Sequence, residues 1–323
     1  MNFEIQILGC GAATPTAKHM PTSQLVNVHD KLFLVDCGEG TQIQIRRYKV
    51  KFQKIDHIFI SHLHGDHFFG LVGLLSSMHL LGRTKQLTIF APKQLEAILE
   101  VQFEASQTRL SFPIKFVDSI VKEKTLLLED KTLEIYAFPL KHRVPCSGFL
   151  FQEKPRKAKI RKAFIKLYDL GIEEMVNIKN RTNVERPNGE VISWKECTYD
   201  DPPVKSYAFC SDTAPSPKVE DVIKDVTLLY HEATFHSSLK DRAVTTFHST
   251  SLDAGSIAAK CNVGHLVIGH FSSRYMDKSI LLEEALTQFE RTSCANEGLK
   301  FVLKENPGEI EIQDMNRSKS NCE

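Results

Sequence analysis

Excess charge of either sign is missing: 41 Lys and Arg stand against 40 Asp and Glu, leaving a formal net charge of +1. Such a chain is no polycation, so any affinity for nucleic acid must come from local patches. Paired cysteines are missing as well. The eight cysteines (Cys10, Cys37, Cys146, Cys197, Cys210, Cys261, Cys294 and Cys322) are scattered, with no C-x-x-C spacing. They read as small buried hydrophobes of a reducing compartment, and a disulfide framework is excluded. No stretch approaches the ~18 apolar residues of a membrane-spanning helix, so no membrane partner is expected. The opening Met1-Asn2-Phe3-Glu4 carries an acid and no cationic run leading into an apolar one, so no signal peptide is expected and the location is read as cytoplasmic. There is no internal repeat and no low-complexity tract. What remains is a 323-residue chain, 42% hydrophobic, long enough to bury a sizeable core without disulfide or metal staples.

Short apolar runs cut by Gly, Pro and Asp dominate the first half. Ile5 to Leu8 ends at Gly9, Leu32 to Val35 ends at Asp36, and His57 to Ile60 runs into a polar segment. These runs are too short for helices and predict strands, as do Leu87 to Phe90, Leu133 to Phe138, Tyr207 to Cys210, Val226 to Tyr230 and Leu266 to Ile268. Ala91-Pro92 predicts the start of a helix through Leu95 and Val101, and Leu252 to Lys260 has helical periodicity. The pattern implies an α/β chain of layered sheets covered by helices. Phe151 to Pro203 breaks the rhythm with a basic run predicted helical and a polar stretch poor in strand signals, and reads as an insertion projecting from the core. The expected organisation is a domain over residues 1–309 carrying the 151–203 insertion, then a polar tail over 310–323, frayed from Asp314 onward.

The densest chemistry is Ser61-His62-Leu63-His64-Gly65-Asp66-His67, three histidines and an aspartate directly after a predicted strand. In an extended loop, residues two apart point the same way, so His62 and His64 can share one metal. Gly65, free to take φ > 0, is expected to redirect the chain so that Asp66 and His67 face a second. Imidazole and carboxylate are ligands suited to zinc. A histidine-rich surface loop is the bland alternative, and four ligands at this density argue against it. His142, Asp212 and His270 each stand just past the carboxyl end of a predicted strand, where open α/β sheets gather their sites. Singly, each would be an ordinary loop residue; their shared placement makes them candidate ligands.

Through these motifs the chain resembles the metallo-β-lactamase superfamily, and within it the ribonuclease Z family of tRNA 3′-endonucleases in its short form. H-x-H-x-D-H alone marks only the superfamily. Leu8-Gly9-Cys10-Gly11-Ala12-Ala13-Thr14-Pro15, Asp36-Cys37-Gly38-Glu39-Gly40-Thr41-Gln42, Ser211-Asp212-Thr213, His231-Glu232-Ala233-Thr234-Phe235, His248-Ser249-Thr250 and Gly269-His270-Phe271-Ser272-Ser273-Arg274-Tyr275 carry the narrower likeness, over roughly residues 3 to 305. The resemblance implies a four-layer αββα sandwich and two zinc ions per chain. His62, His64 and His142 would hold one ion, Asp66, His67 and His270 the other, with Asp212 between them. It makes His248 a proton donor oriented by Glu232, where the residues alone allow a helix cap; His231 is left structural. Asp66 would double as acceptor of a proton from the attacking water. Arg274 is a candidate clamp on the scissile phosphate or a plain surface arginine. The implied reaction is hydrolytic removal of the 3′ trailer from precursor tRNA, leaving a 3′-hydroxyl; the alternative is a hydrolase of small phosphodiesters or related esters on the same scaffold.

Lys154 to Lys166 holds seven basic residues and no acid. Such a run binds phosphates by counterion release, although a solvated helix face would look similar. The family likeness makes the 151–203 insertion a tRNA-gripping arm, with Lys157, Lys159, Arg161 and Lys162 as candidate contacts, and implies a homodimer. Family arms often carry a distal Gly-Pro pair; this one has only Gly171-Ile172 and Pro187-Asn188-Gly189.

Overall fold

The computed structural model describes residues 2–200, 203–306 and 308–317. Two sheets face each other. The first has eight strands in the order Ile310–Asp314, Leu299–Leu303, Phe3–Gly9, Ser23–Val28, Lys31–Val35, Ile55–Phe59, Leu87–Ala91 and Ile114–Asp118. The second has seven: Thr292–Cys294, His265–Gly269, Leu228–Glu232, Ser206–Cys210, Ser147–Glu153, Leu133–Pro139 and Thr125–Glu129. Side-chain alternation explains the layering. Phe33, Val35, Phe59 and Phe90 point between the sheets, where Phe59 stacks on Phe90 at 4.6 Å and meets Phe149 edge-on at 5.2 Å. Their neighbours Leu34, Ile58, Ile60 and Ile89 point the other way and pack with Leu71, Leu74, Leu75 and Leu95 of the helices Leu71–Leu80 and Gln94–Ala105. Helices Ser251–Lys260 and Ser279–Leu286 cover the second sheet. A sheet apolar on both faces must be covered on both, and the result is the expected αββα sandwich.

Four expectations need correction. Residues 310–314 are not tail: Ile310–Asp314 forms the edge strand of the first sheet, antiparallel to Leu299–Leu303, because Ile310 packs on the core. Of the tail, 318–323 lie outside the described residues, Cys322 among them. Phe151 belongs to the core strand Ser147–Glu153 and is fully buried, so the insertion begins after Glu153, whose N–H donates to the Lys205 carbonyl and closes the base. The basic run is helical only over Lys162–Leu167, because residues 158–161 pair with other parts of the insertion: the Ala158 and Arg161 N–H groups donate to the Lys179 and Cys197 carbonyls, and the Lys159 carbonyl accepts from Tyr199. Finally, the strand expected at Val226 to Tyr230 is Leu228–Glu232. Asp225 turns through left-handed backbone (φ 56°), which delays the strand and carries its end to Glu232.

The insertion has its own small core of Ile160, Leu170, Ile178, Val184, Ile192 and Cys197. A two-stranded ribbon, Val184–Glu185 with Val191–Ile192, turns at Gly189 (φ 86°).

Candidate metal centre

The segments after four strands of the two sheets deliver the candidate ligands to one spot. The strand Ile55–Phe59 runs into Ser61 and His62, and His64 ends the extended stretch as N-cap of the short helix Gly65–Phe68. That helix, and no positive φ at Gly65, turns Asp66 and His67 inward, which corrects the expectation for this glycine. Gly65 leaves space instead: a Cβ there would meet the Phe69 ring at 2.2 Å and force that ring to move. Asp36 and His270 hold left-handed backbone (φ 54° and 56°), a conformation that costs about 1–3 kcal/mol and persists where the surroundings enforce it.

Two adjoining clusters result. In the first, His62 Nε2 lies 2.9 Å from His64 Nδ1, and His142 Nε2 lies 3.3 Å from the same atom. Asp212 Oδ2 is 3.6 Å from His62 Nε2 and 3.7 Å from His142 Nε2. In the second, His67 Nε2 and His270 Nε2 lie 3.5 and 3.4 Å from Asp66 Oδ2, and 3.3 and 3.1 Å from Asp212 Oδ1. Asp212 therefore turns one oxygen to each cluster.

Partners outside the clusters fix the rings. Asp36, fully buried, sits 2.7 Å from His67 Nδ1 and also accepts from the Ser61 hydroxyl, which lies 3.0 Å from His62 Nδ1. His142 Nδ1 donates to the Phe247 carbonyl at 3.1 Å, and His270 Nδ1 lies 2.8 Å from Thr234 Oγ1. With Nδ1 engaged, each of these four rings presents Nε2 to the centre; His64 presents Nδ1.

The arrangement fits metal ions. His67 Nε2 is buried without a hydrogen-bond partner although it faces two carboxylates. Burial holds His62, His64 and His142 below the ordinary imidazole range, which keeps their lone pairs available. For His67, burial acts downward, yet Asp212, Asp66 and Asp36 together push it well up: the second cluster demands positive charge. The 2.9 and 3.3 Å separations between ring nitrogens are close to the edge, about 3.3 Å, of a tetrahedron with ~2.0–2.1 Å zinc–nitrogen bonds. Carboxylate-backed histidines of the Asp36–His67 kind are the usual outer support of metal ligands.

His248 stands beside the clusters, its Nδ1 2.8 Å from Glu232 Oε1 and its Nε2 4.0 Å from Asp212. Burial alone would lower this imidazole, but the Glu232 carboxylate and its hydrogen bond raise it to about 9. Glu232 also accepts from the Thr213 N–H and the Thr234 hydroxyl, so one buried carboxylate ties together His248, the Asp212 loop and, through Thr234, His270. The clusters open into a cleft of about 780 Å³. Arg274 is on its wall with its guanidinium 5.3 Å from the Phe235 ring centre, and Arg242 lies 5.9 Å from the same ring. Arg143 and the 61% exposed Phe69 also line it. His231 is buried away from the cleft, bonded to a neighbouring carbonyl. Lys157, Lys159, Arg161 and Lys162 line no part of the cleft and lie on the insertion.

Sequence reasoning quoted Asp36, Ser61 and Thr234 only as motif letters and missed Arg143 and Arg242. A buried acid closing a predicted strand was the one available signal, and it applies to Asp36.

Paired sheets between helices, with histidine and aspartate ligands gathered at the strand ends, define a metallo-β-lactamase-fold hydrolase with a metal cofactor. Residues 3–153 match the family model described as anti-Pycsar protein Apyc1. The ribonuclease Z of Bacteroides thetaiotaomicron is 46% identical over 301 residues, covering 93% of this chain and 95% of that one. That of Parabacteroides distasonis is 45% identical, covering 94% and 99%. The crystal structure of human tRNase Z, short form, superposes with a TM-score of 0.65 at 25% identity over 93% of this chain and 99% of that one. YhfI from Bacillus subtilis, a metallo-β-lactamase fold protein, shares the fold with a TM-score of 0.66 at 18% identity, covering 93% and 99%. The chain belongs to the ribonuclease Z family.

Proposed function

We propose that this protein is a zinc-dependent endoribonuclease that removes the 3′ trailer from precursor tRNA and leaves a 3′-hydroxyl on the tRNA. The observation that carries the reading is Asp212, which turns one oxygen to each of two histidine clusters in a chain 46% identical to a ribonuclease Z. His62, His64 and His142 would hold one zinc, Asp66, His67 and His270 the other, with Asp212 shared. When bound, the pair supplies Lewis acidity at the phosphoryl oxygen and makes nearby water more acidic.

The chain's own groups account for the proton traffic. Asp66 accepts a hydrogen bond from the Ala13 N–H on Oδ2 and would take the proton of the attacking water. His248, kept protonated by Glu232, would deliver a proton to the departing 3′ oxygen of the tRNA. Arg274, steadied by Ser272 Oγ at 3.0 Å, would pair with the scissile phosphate.

The insertion would grip the body of the tRNA. Lys157, Lys159, Arg161 and Lys162 form no ion pair among the described residues, and Lys159 and Arg161 flank the half-exposed Tyr199 ring at 5.7 and 5.5 Å. The exposed apolar side chains Ile43, Leu80 and Val101 on the helices of the first sheet would suit contacts in a homodimer. No helix among the described residues is long and apolar enough to cross a membrane, which accords with a cytoplasmic enzyme.

The test is cleavage of a precursor tRNA bearing a 3′ trailer by zinc-loaded protein, with both product ends mapped. A single cut leaving a 3′-hydroxyl is expected. Intact precursor in the presence of two bound metals per chain would refute the assignment.

A further inference from the structure

A second, smaller cavity of about 160 Å³ opens beside the metal cleft. The two share Thr14, Ser272 and Ser273, so they are continuous. One side of the small cavity is apolar, made by Phe271, Tyr275 and Met276; the other is the segment from Thr16 to His19. Met276 is 78% exposed, an apolar side chain left facing water. The Tyr275 ring is fixed, since its hydroxyl accepts from the His236 N–H at 2.9 Å. The base of the cavity is cationic: the Lys278 ammonium lies 4.9 Å from the Phe271 ring centre and 3.2 Å from His19 Nδ1.

The facing wall is latched in place. Glu297, buried, accepts from the Met20 N–H and sits against His19 Nδ1, both at 2.9 Å. Cys10, His19 and Glu297 form a further potential ligand cluster, but Lys278 already lies 3.5 Å from Cys10 Sγ and supplies its cation. The cluster therefore holds the wall.

His142 and His248 line one part of the cleft, where the departing 3′ oxygen would take its proton. Ala12, Ala13, Thr14 and Ser272 also line it, and there the Ala13 N–H donates to Asp66. The trailer keeps the phosphate, and its first nucleoside hangs from the 5′ oxygen, which is neither the oxygen His248 would protonate nor the position of the attacking water; it needs a site of its own, and the small cavity adjoins the cleft.

We propose that this cavity is a base-binding subsite for the first nucleotide of the 3′ trailer. The inference rests on the reading of the substrate as precursor tRNA. Its lining contains apolar faces, hydroxyls and cations but no carboxamide or carboxylate side chain, so the base is held by stacking and by the charge of its phosphate, with little choice among bases.

The experiment compares an ordinary precursor with one whose first trailer nucleotide is abasic. Wild-type kcat/KM is expected to fall about tenfold on the abasic precursor, within the usual range for one stacked base. Met276→Ala, and Ala17→Trp from the opposite wall, should each shrink that difference by slowing the ordinary precursor. Turnover of methyl p-nitrophenyl phosphate should be unchanged in both variants, showing an intact metal centre. Equal cleavage of the two precursors by the wild type overturns the subsite and leaves the endonuclease reading standing. Failure to cut either precursor, with methyl p-nitrophenyl phosphate still hydrolysed, defeats that reading and the subsite with it.

Discussion

In the candidate metal pocket, four of the five imidazoles proposed as ligands are held from behind by Ser61, Asp36, the Phe247 carbonyl or Thr234, while their other nitrogens converge on the centre. In the insertion, Lys157, Lys159 and Lys162 extend into water, and Arg161, half-buried, rests against a tyrosine ring. The difference follows from the work each region is asked to do. Ligands must hold positions to about half an ångström, so their freedom is removed in advance by buried partners. Cations that track a phosphate backbone act through a diffuse field, and fixing them would gain little. Variants in the pocket should therefore alter chemistry on every substrate, and variants in the insertion should alter only the capture of large ones.

The largest effect is expected for Asp212→Ala, which removes an oxygen from both clusters at once. Turnover should fall by about 10⁴-fold or more on precursor tRNA and on a small phosphodiester alike, as when one member of a cooperating set is removed. Bound metal, read by elemental analysis, should fall below two ions per chain. A variant that kept both ions and lost activity only on precursor would erase the distinction between the regions.

Next in size is His248→Ala, with a loss of about 10²–10⁴-fold, the range of a general acid. The pH profile of the wild type adds a second readout. Glu232 raises His248 to about 9 against the opposing pull of burial, so the protonated form persists above neutrality and turnover declines on the alkaline side. Glu232→Gln removes the raising charge, and the alkaline limb should move down toward the ordinary imidazole value of ~6.5. An unmoved limb would reassign the acid.

Asp36→Asn should cost less, about 10–100-fold in metal affinity, the usual scale for an outer partner of a ligating histidine. It leaves all seven proposed ligands in place, so a weakened metal titration with a preserved fold would show that orientation, and not ligand count, had changed.

The residues that gather in the pocket were readable because the motif is local: His62 through His67 fall within six residues, and His142, Asp212 and His270 each follow a strand that short apolar runs announce. What supports them was not readable in the same way. Asp36 reaches His67 across a sequence gap of 31, and Thr234 reaches His270 across 36, separations at which only the fold decides contact. Gly65 was misjudged because a glycine signals freedom of φ and a need for space equally well, and here the neighbouring Phe69 ring sets the requirement. In the insertion, charge was legible and conformation was not. Seven cations in thirteen residues predict a helix face, but backbone bonds to Lys179, Cys197 and Tyr199 hold residues 158–161 out of a helix, and the small core around Ile178 and Cys197 is scattered through segments with no strong periodicity.

The smallest expected effect, on chemistry, is that of replacing Lys157, Lys159, Arg161 and Lys162 together by Ala. None lines the cleft, so hydrolysis of a small phosphodiester should be unchanged. Lys154 and Arg156 would remain: the first pairs with Glu129 and lies 3.7 Å from Glu134, and the second pairs with Glu305 at 3.1 Å, so the base of the insertion keeps its attachment to the core. Precursor tRNA should bind more weakly at low salt, with KM raised and kcat little altered. The dependence of log K on log salt should flatten by up to about one unit for each phosphate that the variant no longer neutralises. Because salt screens the same charges that the substitutions remove, wild type and variant should converge as ionic strength rises. A loss of equal size on both substrates, or one that persists at high salt, would mean that the insertion shapes the cleft and does not simply hold the RNA.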